Sequence, residues 1–185
     1  MIDQAIAFAA TAHAGQRRRY TGEPYVLHPI EVMQLVREHD RDWTENMLVA
    51  ALLHDVVEDT SVGPLAIERR FGNAVRVLVD ELTDEFTFEK YPDMNRKARK
   101  KAERERLGAI SAPGQSIKLA DMISNTRSIA QHDPGFAKVY LREKALLLPL
   151  LCEGSQALQA MAQASLMAGA EIADVDLTRR IKGED

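Results

Sequence analysis

Ala50 to Thr60 reads A-A-L-L-H-D-V-V-E-D-T, four ionisable side chains set into an otherwise apolar run. Such a run belongs inside a protein, and a buried carboxylate or imidazole has to be paired, hydrogen-bonded or metal-bound to offset its lost hydration. Read as helix, the stretch stacks His54 over Glu58 and Asp55 over Asp59, because residues four apart lie above one another. His54 and Asp55 then point about 100° apart. One cation between the two columns could take an imidazole nitrogen and a carboxylate oxygen, with Glu58 and Asp59 one turn along. The stretch predicts a metal site with acids beside it.

The helix that carries it starts at Asp42-Trp43-Thr44-Glu45, a capping-box pattern in which Trp43 reads as a core or staple residue. Upstream, the periodicity of Ile2, Ala5, Ile6 and Ala9 predicts a first helix that stops at Gly15. The loop from Gly15 to His28 contains three consecutive arginines, Arg17, Arg18 and Arg19, which cannot all be buried, so it lies at a surface or a pocket mouth. Pro29 is placed to start the second helix, which would hold His28 extended at a junction. Downstream, helices are expected from Pro64 to Gly72, from Asn73 to Leu82, along a basic stretch from Asn95 to Leu107, from Ser116 to Ala130, from Phe136 to Cys152 and from Gly154 to Ala170. The connection from Thr83 to Asp93 has no clear pattern and is expected to be mobile, and Ser111-Ala112-Pro113-Gly114 reads as a break.

Composition agrees with an all-α class: 45% of residues are hydrophobic but only 5% aromatic, and Ala, Leu, Glu and Arg dominate. At 185 residues, with no Ser/Gly/Pro-rich linker, one domain is expected. The single cysteine, Cys152, excludes an intramolecular disulfide framework and fits a reducing, cytoplasmic setting, and neither a signal-type segment nor a membrane-spanning run is seen. The net charge of −4 argues against nucleic acid as a partner. Positive charge is concentrated locally, with seven basic residues against two glutamates between Asn95 and Leu107. That stretch is either a solvated helix face or an anion-attracting arm. Oligomeric state is not legible.

A second polar intrusion, I-K-L-A-D-M-I-S-N-T-R-S from Ile117 to Ser128, places Asp121, Asn125 and Ser128 on one helical face. Together, His28, His54, Asp55 and Asp121 would supply two imidazoles and two carboxylates. This N/O set suits Mn²⁺, Fe²⁺ or Zn²⁺ and leaves positions open for water, whereas structural zinc favours cysteine. The plainer alternative for His54 and Asp55 is a buried histidine bonded to its neighbouring carboxylate. His13, His39 and His132, at helix ends or in loops, are assigned no chemistry.

Four stretches together resemble one known family: H-A-G-Q-R-R-R-Y-T-G-E-P-Y-V-L-H-P (residues 13 to 29), A-A-L-L-H-D-V-V-E-D-T (50 to 60), F-G-N-A-V (71 to 75) and K-L-A-D-M-I-S-N (118 to 125). The chain resembles the HD-domain phosphohydrolases, and within them the Rel/Spo-type alarmone hydrolases and their single-domain, Mesh-like relatives, from Ala9 to about Leu150. The resemblance implies one HD domain over residues 1–172, a bundle of about eight to ten helices around one metal site, and a polar tail over 173–185. It further implies that His28, His54, Asp55 and Asp121 hold one divalent ion, typically manganese. Glu58 and Asp59 match the acidic pair that activates water and assists the leaving group. Asn125 matches a sugar-contacting residue, Ser128 a pocket-lining position, and Arg18 and Arg19 the basic pair beside the phosphates. The arginine loop is one residue longer than in the long bifunctional enzymes. Met122-Ile123-Ser124 stands where the family has basic and aromatic residues.

The implied reaction is metal-assisted hydrolysis of the pyrophosphate on the 3′-oxygen of a nucleoside 3′-diphosphate, (p)ppGpp or (p)pApp, with Arg18, Arg19, Lys118 and the basic helix offsetting the negative charge. Two alternatives remain open: an HD-type 5′-nucleotidase, which has less need of the arginine loop and basic helix, and a nucleotide-sensing module without turnover.

Overall fold

Seven consecutive buried residues, Met47 to Leu53, make α3 (Glu45–Leu53) the centre of the molecule. A helix apolar on every side must be surrounded, and the other elements of the chain, seen in a computed structural model that describes residues 1–177, provide the surround. They are α1 (Ile2–Ala12), α2 (Leu27–His39), α4 (Val56–Asp59), α5 (Pro64–Phe71), α6 (Asn73–Leu82), α7 (Arg96–Gly108), α8 (Ala112–His132), α9 (Pro134–Leu147) and α10 (Gln156–Ile172), with a 3₁₀ turn at Leu148–Leu150. The described residues contain no strand, only an isolated antiparallel bridge between Arg17 and Pro24 in the arginine loop. The all-α expectation holds.

Helices α1, α2, α6 and α8 pack on α3, and α8 is in turn backed by α9 and α10. The long α8 buries Ile117, Leu119, Ala120, Met122 and Ile123, so its polar residues are carried into the interior along with its apolar ones. Five of the described helix starts have a side-chain cap: Thr44, Asn95, Ser111, Asp133 and Ser155 each accept a backbone N–H of the first turn.

The turn into α10 passes against the backbone of α8 at Gly154, where a Cβ would stand 3.0 Å from the amide nitrogen of Ser116 and 3.1 Å from the carbonyl carbon of Gln115. Backbone cannot swing aside as a side-chain tip can. Gly154→Ala is therefore expected to destabilise the fold by about 1–3 kcal/mol, a fall in Tm of roughly 2–4 °C per kcal/mol for a chain of this size. An unchanged Tm in calorimetry would show that the turn and α8 can part freely.

Several local expectations are corrected. The run from Ala50 to Asp59 is not one helix: α3 ends at Leu53, His54 and Asp55 form a turn (Asp55 φ −95°, ψ −6°), and α4 restarts at Val56. The His54 imidazole is bonded to the Ala51 carbonyl through Nδ1 at 2.8 Å and so competes for the oxygen that the Asp55 amide would use in a continuing helix. His28 is helical rather than extended, since α2 begins at Leu27 and Pro29, still in the first turn, has no N–H to lose there. Pro113 and Gly114 likewise lie inside the first turn of α8. Trp43 is 42% exposed and is no core residue.

The start of the Thr83–Asp93 segment is tied down: Glu103 accepts from the amides of Glu85 (3.0 Å) and Phe86 (2.9 Å), and Arg106 donates to the carbonyls of Glu81 and Thr83. The tail expected from residue 173 is shortened at its start, because Ala173 is buried and Val175 and Leu177 pack on the core. Residues 178–185 of it lie outside the described part.

Candidate active site

Three segments deliver the predicted ligands to one point: α2 carries His28, the turn between α3 and α4 carries His54 and Asp55, and α8 carries Asp121. Asp121 Oδ1 lies 3.3 Å from His28 Nε2 and 3.8 Å from His54 Nε2; Asp55 Oδ2 lies 3.6 and 3.1 Å from the same two nitrogens. Both histidines are buried to 2% exposure, and neither Nε2 has a hydrogen-bond partner of acceptable geometry. Two orphaned ring nitrogens facing two carboxylates are what a divalent cation's donor set requires. One ligand atom each from His28, His54 and Asp121 falls within 4.8 Å of the others. The residues present fit such an ion.

The other ring nitrogens are engaged. His54 Nδ1 is bonded to the Ala51 carbonyl. His28 Nδ1 is 3.0 Å from Ser124 Oγ, whose hydroxyl donates to Glu31 Oε2 at 2.6 Å. With Nδ1 carrying the proton in each ring, the Nε2 lone pairs are directed at the shared point. Without a cation the cluster supplies its own positive charge. Burial works to lower the His54 pKa, but Asp55 and Asp121 outweigh it and raise it to about 10. Burial also works to raise Asp55 and Asp121, and both are nonetheless held below the ordinary carboxylate range, Asp55 by His54 and Asp121 chiefly by Lys118.

Tyr25 was not anticipated. Its hydroxyl donates to Asp55 Oδ2 at 2.6 Å, so the side chain three positions before His28 orients a second candidate ligand. Tyr25→Phe is expected to weaken metal binding about 10- to 100-fold, the usual cost of losing an outer partner of a ligand. Titration calorimetry with Mn²⁺ checks this, and unchanged affinity would show that Asp55 needs no orienting group.

Beside the cluster opens a cavity of about 260 Å³, whose lining includes Tyr25, Asp55, Glu58, Asp59, Asp84, Lys100, Arg104, Lys118, Asp121, Asn125 and Lys144. Glu58 and Asp59 are exposed at it, yet the surrounding protein desolvates both enough to raise their pKa values, with Asp84 adding to the effect on Glu58 and Asp55 to that on Asp59. Glu58 accepts from the Asp84 amide at 3.3 Å. Lys118 Nζ pairs with Asp121 Oδ2 at 3.1 Å, and the Asn125 amide donates to Asp121 Oδ1 at 2.6 Å.

Arg18, Arg19 and Ser128 do not line this cavity. The arginine loop leans on the far end of α8: Arg19 sits over the Tyr20 ring, Tyr20 stacks on His132 and donates to Asp133, and His132 is bonded to the Ser128 carbonyl. At 1.5 Å per residue, Ser128 is about 10 Å along the helix from Asp121. Within the basic stretch, Lys100 and Arg104 reach the cavity while Arg106 serves to hold the 83–86 segment. Tyr25 and Ser124 lie within the family stretches but carry no role there, and no periodicity or motif marks Glu31 or Lys144 in the sequence.

Two histidines and two aspartates gathered where helices of an all-α bundle converge, with free acids alongside, define a class, and residues 5–147 match the family model described as the HD domain. The chain belongs to that family. Among curated proteins it is similar to guanosine-3′,5′-bis(diphosphate) 3′-pyrophosphohydrolase MESH1 of Xenopus tropicalis, 38% identical over 136 residues that make up 72% of each chain. MESH1 of Homo sapiens is 38% identical over 138 residues, 71% of this chain and 70% of that one. Among solved structures, a metazoan SpoT ortholog described as hydrolysing ppGpp superposes with a TM-score of 0.79 at 28% identity, over 90% of this chain and 94% of that one. The resemblance read from the four sequence stretches is borne out. No described helix is long and apolar enough to cross a membrane.

Proposed function

We propose that this protein is a metal-dependent hydrolase that releases pyrophosphate from the 3′-position of nucleoside 3′-diphosphates of the (p)ppGpp or (p)pApp type. The observation that carries this is the pair of buried, unpartnered His Nε2 atoms facing Asp55 and Asp121 at the end of a cavity that also holds free acids and a cationic wall. The relatives' activity on a guanosine 3′-diphosphate supports the substrate class.

His28, His54, Asp55 and Asp121 would hold the cation, for which manganese is proposed. Bound there, it would supply Lewis acidity toward water and a phosphoryl oxygen. Glu58 or Asp59 accepts the proton of the attacking water at a carboxylate oxygen; a raised pKa brings a carboxylate closer to the working pH of a general base. Lys118, kept charged by Asp121, Asp84 and Asp55 against its burial, faces the departing phosphates. Asn125, anchored on Asp121, would meet the sugar. Arg18, Arg19 and Ser128, toward the far end of α8, are assigned the outer reach of a substrate longer than the cavity. The exposed, unpaired Cys152 suits a cytoplasmic setting.

Incubation with Mn²⁺ and, in parallel, ppGpp, ppApp and nucleoside 5′-monophosphates tests the reading. Pyrophosphate from a 3′-diphosphate is the expected product and names the base. Phosphate from monophosphates alone would move the protein to the nucleotidase class, and binding without any product would make it a sensing module.

A further inference from the structure

Lysines that leave water normally do so beside a carboxylate. Lys118 of the cavity obeys this beside Asp121, and the more exposed Lys100 pairs with Asp84 at 4.0 Å. Lys144 of α9 does not. It is half-buried and lines the cavity, but among the described residues it makes no ion pair; its close neighbour is the Tyr140 ring, whose centroid lies 5.3 Å from Nζ. The adjacent acid, Glu143, also lines the cavity but pairs with Arg96, through Oε1 at 2.6 Å, and not with Lys144. A cationic group is thus held against an open, polar cavity with no anion of its own.

We propose that Lys144 binds a phosphoryl group of the substrate, forming with Lys100 and Arg104 of α7 an anion subsite on the α7–α9 side of the cavity, apart from the His/Asp cluster. The inference rests on the nucleotide reading of the site. Its physical basis is that an incoming phosphate oxygen completes the Lys144 ammonium, a charge-assisted bond stronger than a neutral one. Burial, and next Lys118, lower the Lys144 pKa to about 8, while Asp121 and Asp84 pull it upward. An ammonium in that condition gains most from a new anionic neighbour. The phosphate could be one at the 5′-position or the outer one at the 3′-position.

Steady-state kinetics of K144M and K144R on ppGpp, and on guanosine 3′-diphosphate without a 5′-phosphate, separate these sources. Methionine keeps the apolar stem over Tyr140 and removes only the charge. K144M is expected to raise KM for ppGpp about 10- to 100-fold with kcat little changed, the range for a hydrogen bond to a charged group, and K144R to restore it. A rise confined to ppGpp assigns the 5′-phosphates; an equal rise on both substrates assigns the outer 3′-phosphate. Unchanged KM in K144M, or a loss of kcat that K144R leaves in place, overturns the proposal. If the wild type turns over neither substrate, the nucleotide reading fails on that result alone. Calorimetric titration of GDP then decides Lys144 separately: weaker binding to K144M upholds it, and equal or absent binding overturns it.

Discussion

Glu58→Gln is expected to keep the full metal content and lose about 10²- to 10⁴-fold in kcat, the contribution of a positioned general base. Glutamine preserves size and can still accept from the Asp84 amide, so the 83–86 segment stays in place. What it removes is the capacity to take a proton. Glu58 is three positions beyond Asp55, on the restarted turn of α4, and unlike Asp55 and Asp121 it has no ion pair with His28 or His54 among the described residues. Metal analysis by atomic emission alongside kcat separates the two roles. A variant with a normal rate would pass the base function to Asp59; a variant stripped of metal would make Glu58 a ligand.

Asp121→Ala should instead lose metal and activity together. Its two oxygens do four things at once: Oδ1 faces both orphaned imidazole nitrogens and accepts from Asn125, while Oδ2 holds Lys118. Deleting them removes a ligand and also leaves the Lys118 ammonium beside the site without its counter-charge, which repels a cation further. Metal affinity should fall by more than the roughly 10- to 100-fold ascribed to the loss of an outer partner. Added Mn²⁺ should recover part of the activity in Asp121→Ala and none in Glu58→Gln. Full metal content in an inactive Asp121→Ala would show that His28, His54 and Asp55 suffice to hold the ion.

Two of the corrected helix boundaries show how a local reading can be wrong in geometry and right in chemistry. Treating Ala50 to Asp59 as a continuous helix put His54 and Asp55 on adjacent columns. The turn that replaces it turns both toward the same point, because the His54 side chain competes with the backbone for Ala51. Pro29 was read as a helix start, whereas His28, one residue earlier, is already helical. In each case the hydrogen bond that moved the boundary comes from a side chain or an N-terminal turn, where propensity has little influence.

The sequence by itself determined the helical class, the buried character of the Ala50–Asp55 run and the identity of the four residues that converge. The first two depend on residue type and on spacings of three or four, which a linear reading resolves; the third is implied by the resemblance that the four family stretches carry, since His28, His54 and Asp121 stand tens of positions apart. Only the tertiary structure decided that Tyr25 orients Asp55, that Ser124 and Glu31 set the His28 tautomer, and that Lys144 reaches the cavity while Arg18, Arg19 and Ser128 do not. These pairings join residues tens of positions apart, Ser124 with His28 across 96. A contact of that kind arises from how helices pack around α3, and no periodicity along the chain encodes it.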